Sequence, residues 1–81
     1  INTMGKLSIY PNPTSHLLYI KNENSGGSPT IQILNYQGKI VQNIQDFKQE
    51  YINISSLPAG LYYLKYTDIK NVVLKKFMVI H

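Results

Sequence analysis

The 81-residue sequence predicts an all-β fold, a small antiparallel sandwich, and three observations predict it. Short segments rich in Ile, Val, Tyr and Leu lie between regularly spaced turn signals. Within them apolar and polar residues alternate with a period of two. Helical spacing is not sustained anywhere, and Asn, Gly and Tyr are frequent, which disfavours helices. Seven segments are predicted, at about 7–10, 16–22, 30–36, 39–45, 50–54, 60–67 and 71–80.

The first runs from Leu7 to Tyr10 and stops at Pro11-Asn12-Pro13, where two backbone donors are missing. The second puts Leu18 and Ile20 on one face, as the first does Leu7 and Ile9. Asn24-Ser25-Gly26-Gly27-Ser28-Pro29 follows as a loop, with Gly26-Gly27-Ser28 its expected flexible tip. Thr30-Ile31-Gln32-Ile33 then alternates, directing Ile31 and Ile33 inward. Tyr36-Gln37-Gly38-Lys39 reads as a tight hairpin into the fourth segment, because Gly38 accepts a positive φ. In Tyr51-Ile52-Asn53-Ile54 the isoleucines again share a face. Ser55-Ser56-Leu57 is expected to carry the chain between sheets with Leu57 as a buried plug. Pro58-Ala59-Gly60 reads as a β-turn with proline at its first corner. The sixth segment sends Tyr62, Leu64 and Tyr66 to the core and Tyr63 to the opposite face. In the seventh, Lys75-Lys76 interrupts Val72-Val73-Leu74 and Phe77-Met78-Val79-Ile80. Without a cysteine pair or tryptophan, seven strands make the sandwich immunoglobulin-like by strand count alone.

Composition narrows the function. Charged residues are 15% of the chain and hydrophobic ones 43%, which argues for a folded domain and against disorder. The absence of cysteine excludes disulfides and thiolate metal sites. Apolar runs end after about four residues, far short of the ~20 that span a bilayer. No charged segment followed by an apolar one opens the chain, so no signal peptide is expected. A start at Ile1 suggests a piece excised from something longer. A single core near this size rarely leaves more than ~3–5 kcal/mol net, little to spare for a deep active-site cavity. All eight basic residues are lysines, against four acids, for a net charge of +4. Without arginine there is no bidentate grip on phosphate or guanine. The lysines are scattered except at Lys75-Lys76, so nucleic acid is not an expected partner.

Catalytic signatures are scarce. His16 and His81 stand alone, without metal-ligand spacing. Asp46, Asp68, Glu23 and Glu50 lie far apart, with nothing local to raise a carboxyl pKa. Ser55-Ser56 lacks a nucleophile elbow, and Gly26-Gly27 precedes no helix that would cradle phosphate. No catalytic residue, metal or cofactor is expected. Tyr62 and Tyr66 read as core, whereas Tyr10, Tyr19 and Tyr51 remain candidate surface aromatics for stacking on sugars. Adjacent lysines in a strand point to opposite faces, so one of Lys75 and Lys76 faces the core side or lies at an unpaired edge. They protect an edge strand from aggregation or mark a docking edge for strand addition. An open edge would also allow two copies to pair.

The order of motifs carries a resemblance. Leu7-Ser8-Ile9-Tyr10-Pro11-Asn12-Pro13-Thr14-Ser15 precedes Leu18-Tyr19-Ile20. Ile31-Gln32-Ile33-Leu34-Asn35-Tyr36-Gln37-Gly38-Lys39-Ile40-Val41 comes next. Ile52-Asn53-Ile54-Ser55-Ser56-Leu57-Pro58-Ala59-Gly60-Leu61-Tyr62-Tyr63-Leu64 follows, and Lys75-Lys76-Phe77 stands near the end. Each motif alone is weak; in this order and spacing, residues 7–81 resemble the C-terminal sorting domain (type A) of type IX secretion cargo proteins of Bacteroidota. The resemblance implies an Ig-like seven-stranded sandwich behind an upstream cargo domain, exported through the periplasm to the outer membrane, cell surface or medium. It implies recognition by the translocon and removal by a cell-surface sortase, so that the domain is address and substrate, not enzyme. Pro11, Asn12 and Pro13 match the first motif, Gly38 and Lys39 the hairpin, and Leu57, Pro58, Gly60 and Tyr62 the central motif. Lys75, Lys76 and Phe77 match the terminal signal. Residues 1–6 would be the linker, with Thr3, Met4, Gly5 and Lys6 the cleavage region. Met78-Val79-Ile80-His81 departs from the family in being more apolar. The alternative is a carbohydrate-binding or adhesion sandwich serving a secreted enzyme, to be distinguished by an exposed row of tyrosines on one face.

Overall fold

A computed structural model describes residues 7–23 and 28–81. They form β1 (Leu7–Tyr10), β2 (Leu17–Asn22), β3 (Thr30–Asn35), β4 (Ile40–Ile44), β5 (Tyr51–Asn53), β6 (Gly60–Thr67) and β7 (Val72–Val79), with no helix among them. Two antiparallel sheets result, ordered β1-β2-β5 and β4-β3-β6-β7. The expected all-β, seven-stranded sandwich is the observed one, with strand ends within about two residues of the expected bounds. The tip at Gly26-Gly27 and the region Thr3 to Lys6 lie outside the described residues.

Alternation sets the core. Leu18, Ile31, Ile33, Ile54, Leu64, Tyr66, Phe77 and Val79 are fully buried, and Leu7, Ile20, Ile52, Leu57, Tyr62 and Val73 nearly so. Every residue expected on the inner face is there, although Ile9 is only partly buried. Phe47 is also buried, and no strand periodicity announces it. It sits on the crossing from β4 to β5, where its N–H donates to the Pro29 carbonyl at 2.8 Å. Asp46 reverses the chain just before it with φ 56°, a left-handed conformation that aspartate tolerates better than most residues.

Turn chemistry follows the sequence in one place and departs from it in another. At the β3–β4 hairpin Gly38 has φ +83°, and its N–H donates to the Asn35 carbonyl at 2.9 Å. The Asn35 side-chain oxygen also accepts from the N–H groups of Gln37 and Lys39. Before β6, the hydrogen-bonded turn closes earlier than expected, with Leu57 N–H donating to the Ile54 carbonyl at 3.0 Å. Burial of Leu57 pulls the chain back there, and the stretch Pro58-Ala59-Gly60 only bends into β6.

Strand direction sorts the connections between two poles. β1, β3, β5 and β7 end where β2, β4 and β6 begin, as the registers Tyr10↔Tyr19, Asn35↔Tyr62 and Gly60↔Val79 show. One pole therefore gathers the Pro11–Pro13 turn, the Gly38 hairpin, the Pro58–Gly60 bend and the end of β7. Leu7 enters the fold at the other pole, beside Asn22.

Candidate functional site

The first and last motifs meet at the edge of β7. Thr14 forms a parallel bridge with Val79: its N–H donates to the Met78 carbonyl, and Ile80 N–H donates to the Thr14 carbonyl, both at 2.9 Å. The Asn12 side chain extends this pairing. Met78 N–H donates to its Oδ1 at 2.9 Å, and its Nδ2 donates to the Lys76 carbonyl at 3.4 Å. Proline on both sides removes the donors of residues 11 and 13, so the Asn12 carboxamide supplies what the backbone lacks. Thr14 is buried, and its hydroxyl donates to the Leu17 carbonyl at 2.6 Å. A burial of this kind, needing a partner far along the chain, leaves no mark in local periodicity.

Between the turn and the strand lies a groove of ≈ 250 Å³ lined by Asn12, Pro13, Leu61, Lys76, Phe77 and Met78. Its volume is below the about 300–1,000 Å³ of small-molecule pockets and suits a side chain or chain segment. Under it, Tyr62 stacks on Phe77 with ring centroids 5.8 Å apart. The Tyr62 hydroxyl donates back to the Pro58 carbonyl at 2.7 Å, tying the central motif to the terminal one. His81 closes the pole, its Nε2 2.7 Å from the Leu57 carbonyl and donating in the tautomer protonated there. Gly38 and Lys39 lie at the same pole but beyond β3 and β6, so they do not line the groove. Lys75 pairs with Leu64 in mid-strand and shares the inward phase of Val73 and Phe77, yet it is exposed on this edge strand. Lys76 faces outward into the groove wall. Thr3, Met4, Gly5 and Lys6 lie outside the described residues.

A second feature occupies the outer face of the three-stranded sheet. Register places Tyr10, Tyr19 and Tyr51 in one cross-strand row, all exposed. Tyr10 and Tyr19 stack at 5.6 Å with planes 10° apart, and Tyr51 tilts by 56° against Tyr19 at 5.7 Å. The faces of neighbouring rings are thus spent largely on one another.

At the far pole, Asp68 organises the β6–β7 turn. Its carboxylate accepts from the N–H groups of Lys70 and Asn71 at 2.8 and 2.7 Å and from the Tyr66 hydroxyl. The Tyr66 hydrogen bond, followed by those of the turn amides, outweighs desolvation and holds the carboxyl below its ordinary pKa. No group of three His, Cys, Asp or Glu among the described residues is placed to hold a metal.

Comparison with known proteins supplies the family. The secretion system C-terminal sorting domain matches residues 8–80. No curated protein matches the chain. Among solved structures, PorZ aligns with a TM-score of 0.69 over 93% of this chain at 18% identity. It is described as an essential bacterial surface component of the type IX secretion system of the human oral bacterium Porphyromonas gingivalis. This chain spans 11% of PorZ, and the likeness at that identity is one of fold. With the family's motifs in order along the chain, and its match running through all seven strands, the chain belongs to the secretion system C-terminal sorting domains, the sorting signals of type IX secretion.

Proposed function

We propose that this domain is a non-catalytic address. The type IX translocon reads its motif pole while the domain stands folded in the periplasm, and a surface sortase then separates it from its cargo within residues 1–6. One observation carries the reading: motifs more than sixty residues apart are joined by Asn12 to Lys76 and Met78. Asn12, Pro13, Lys76 and Phe77 line the groove, Tyr62 supports it through Phe77 and holds Pro58, and Pro11 and Gly60 lie at the same pole. Lys75 and the Gly38-Lys39 hairpin flank it. Cargo attached ahead of Leu7 leaves this pole open to a partner.

The test is a reporter fused ahead of residue 1 and expressed in a bacterium with type IX secretion. The parent fusion is expected at the cell surface with the domain cleaved off. Replacing Pro11, Asn12 and Pro13 by alanine, or Lys76→Glu alone, is expected to leave it periplasmic, while Lys21→Glu is expected to travel normally. A parent fusion that stays in the periplasm would refute the sorting role. Normal export of folded Lys76→Glu would remove the groove from the recognised surface.

The tyrosine row favours a second reading, a sugar-binding face. Among the described residues, the outward faces of Tyr10 and Tyr51, at the two edges of their sheet, have no ring neighbour in this row. Glycan-array binding that disappears in Tyr51→Ala would support it, and an array without signal would dispose of it.

A further inference from the structure

The edge of β7 is covered over only half its length. Hydrogen bonds at Met78 and Ile80 show that even-numbered residues turn their main-chain groups away from β6. By strand alternation Val72 and Leu74 do the same with both N–H and C=O, and Lys76 with its N–H. The segment from Asn12 to Thr14 occupies the stretch from Lys76 to Ile80. Among the described residues, none pairs with the outward groups of Val72 and Leu74 or with the Lys76 N–H. Exposed Val72 and Leu74 side chains flank these free groups.

We propose that the open stretch from Val72 to Lys76 receives an extended, acidic segment of a partner protein by strand addition. The inference rests on the sorting reading, since the machinery that reads the domain would supply the segment. Charge selects this occupant. β7 carries Lys75 and Lys76 and no acid, and Lys65 stands opposite Leu74 on β6. In the adjoining turn Lys70 accompanies Asp68, whose carboxylate is engaged by the turn N–H groups and Tyr66. A segment alternating acidic and apolar residues would complement both the lysines and the exposed Val72 and Leu74 while pairing its backbone with the edge. A second copy is disfavoured, because edge-to-edge pairing brings Lys75 and Lys76 of each chain close together. The bridge from Thr14 to Val79 shows that main-chain groups on this edge pair with a segment laid alongside it.

The experiment follows backbone amide exchange by NMR in the 81-residue chain, with and without a synthetic peptide of alternating Glu and Val. Expected is slowing of about fivefold at Val72, Leu74 and Lys76, as an added hydrogen bond of ~1 kcal/mol gives, and none with a Lys-Val peptide. Leu74→Ala keeps the N–H and should still bind, more weakly than the parent because an apolar contact is lost. Leu74→Pro removes an N–H that does not serve β6 and should abolish binding. Lys75→Glu with Lys76→Glu should weaken it about tenfold or more, which covers the case in which the proline variant does not fold. Absence of slowing, or equal slowing by the basic peptide, overturns the proposal. So does sedimentation of the free chain as a dimer with those amides protected, which assigns the edge to a second copy. In the export assay, folded Leu74→Pro should stay in the periplasm; if it is exported while Lys76→Glu is not, the sorting role survives and strand addition falls.

Discussion

Asn12 does the work of a strand with a single side chain. Its carboxamide presents an acceptor oxygen and a donor NH2 side by side, and β7 bonds to each. Asn12→Ala hands these exposed groups to water, so a loss of about 0.5 to 1 kcal/mol is expected in urea unfolding. Thr14→Val should cost more, about 1–3 kcal/mol, because the Leu17 carbonyl loses its partner beside a buried side chain. Tyr62→Phe keeps the ring stack on Phe77 and drops only the bond to Pro58, an expected loss of about 1 kcal/mol by the same measurement. Asp68 adds a pH dependence. Its folded pKa is lowered, so its stabilisation is complete above the unfolded carboxyl pKa of about 3.9 and disappears as pH falls through the lower folded value. Thermal melts below about pH 4 should therefore fall less steeply for Asp68→Asn than for the parent.

Among the elements, β7 has the most divided role. Its odd residues Val73, Phe77 and Val79 are core, while its even residues and lysines belong to the surface. Phe77→Ala removes a fully buried ring, at about 3–5 kcal/mol. That equals the ~3–5 kcal/mol a core of this size supplies, so circular dichroism should show this variant largely unfolded. Any defect of Phe77→Ala in export would thus report lost structure, whereas Lys76→Glu keeps the same strand and changes only its outer face. The lysine pair was open to two readings in the sequence, edge protection and docking. Both lysines are exposed on the edge strand, and a charged edge that resists indiscriminate pairing still permits pairing with an acidic segment.

The whole molecule puts the entry of Leu7 and the sorting motifs at opposite poles, which on the proposed sorting reading separates attachment from recognition. A reporter fused ahead of residue 1 should be exported, while the same reporter fused after His81 crowds the groove and should be retained. Fractionation of surface and periplasm measures both, and equal export of the two fusions would show that the motif pole need not be free. Oligomeric state belongs to this scale as well. The 81-residue chain is expected to sediment as a monomer, since its uncovered half-edge is lysine-bearing.

Strand count, strand bounds and the inward residues could be read from the chain alone, because a period of two is a local property that needs no knowledge of neighbours. The turn at Gly38 was equally legible, one glycine satisfying one backbone requirement. Motif order pointed to the family, but it could not say which motifs touch. Only tertiary structure decided that Asn12 reaches across 64 and 66 residues to Lys76 and Met78, and that Phe47 seals the crossing between sheets. It also decided that the tyrosines form one row and that half of the β7 edge stays open. These contacts depend on how two sheets are laid over each other, and hydrogen bonds between distant segments impose no periodicity on either sequence.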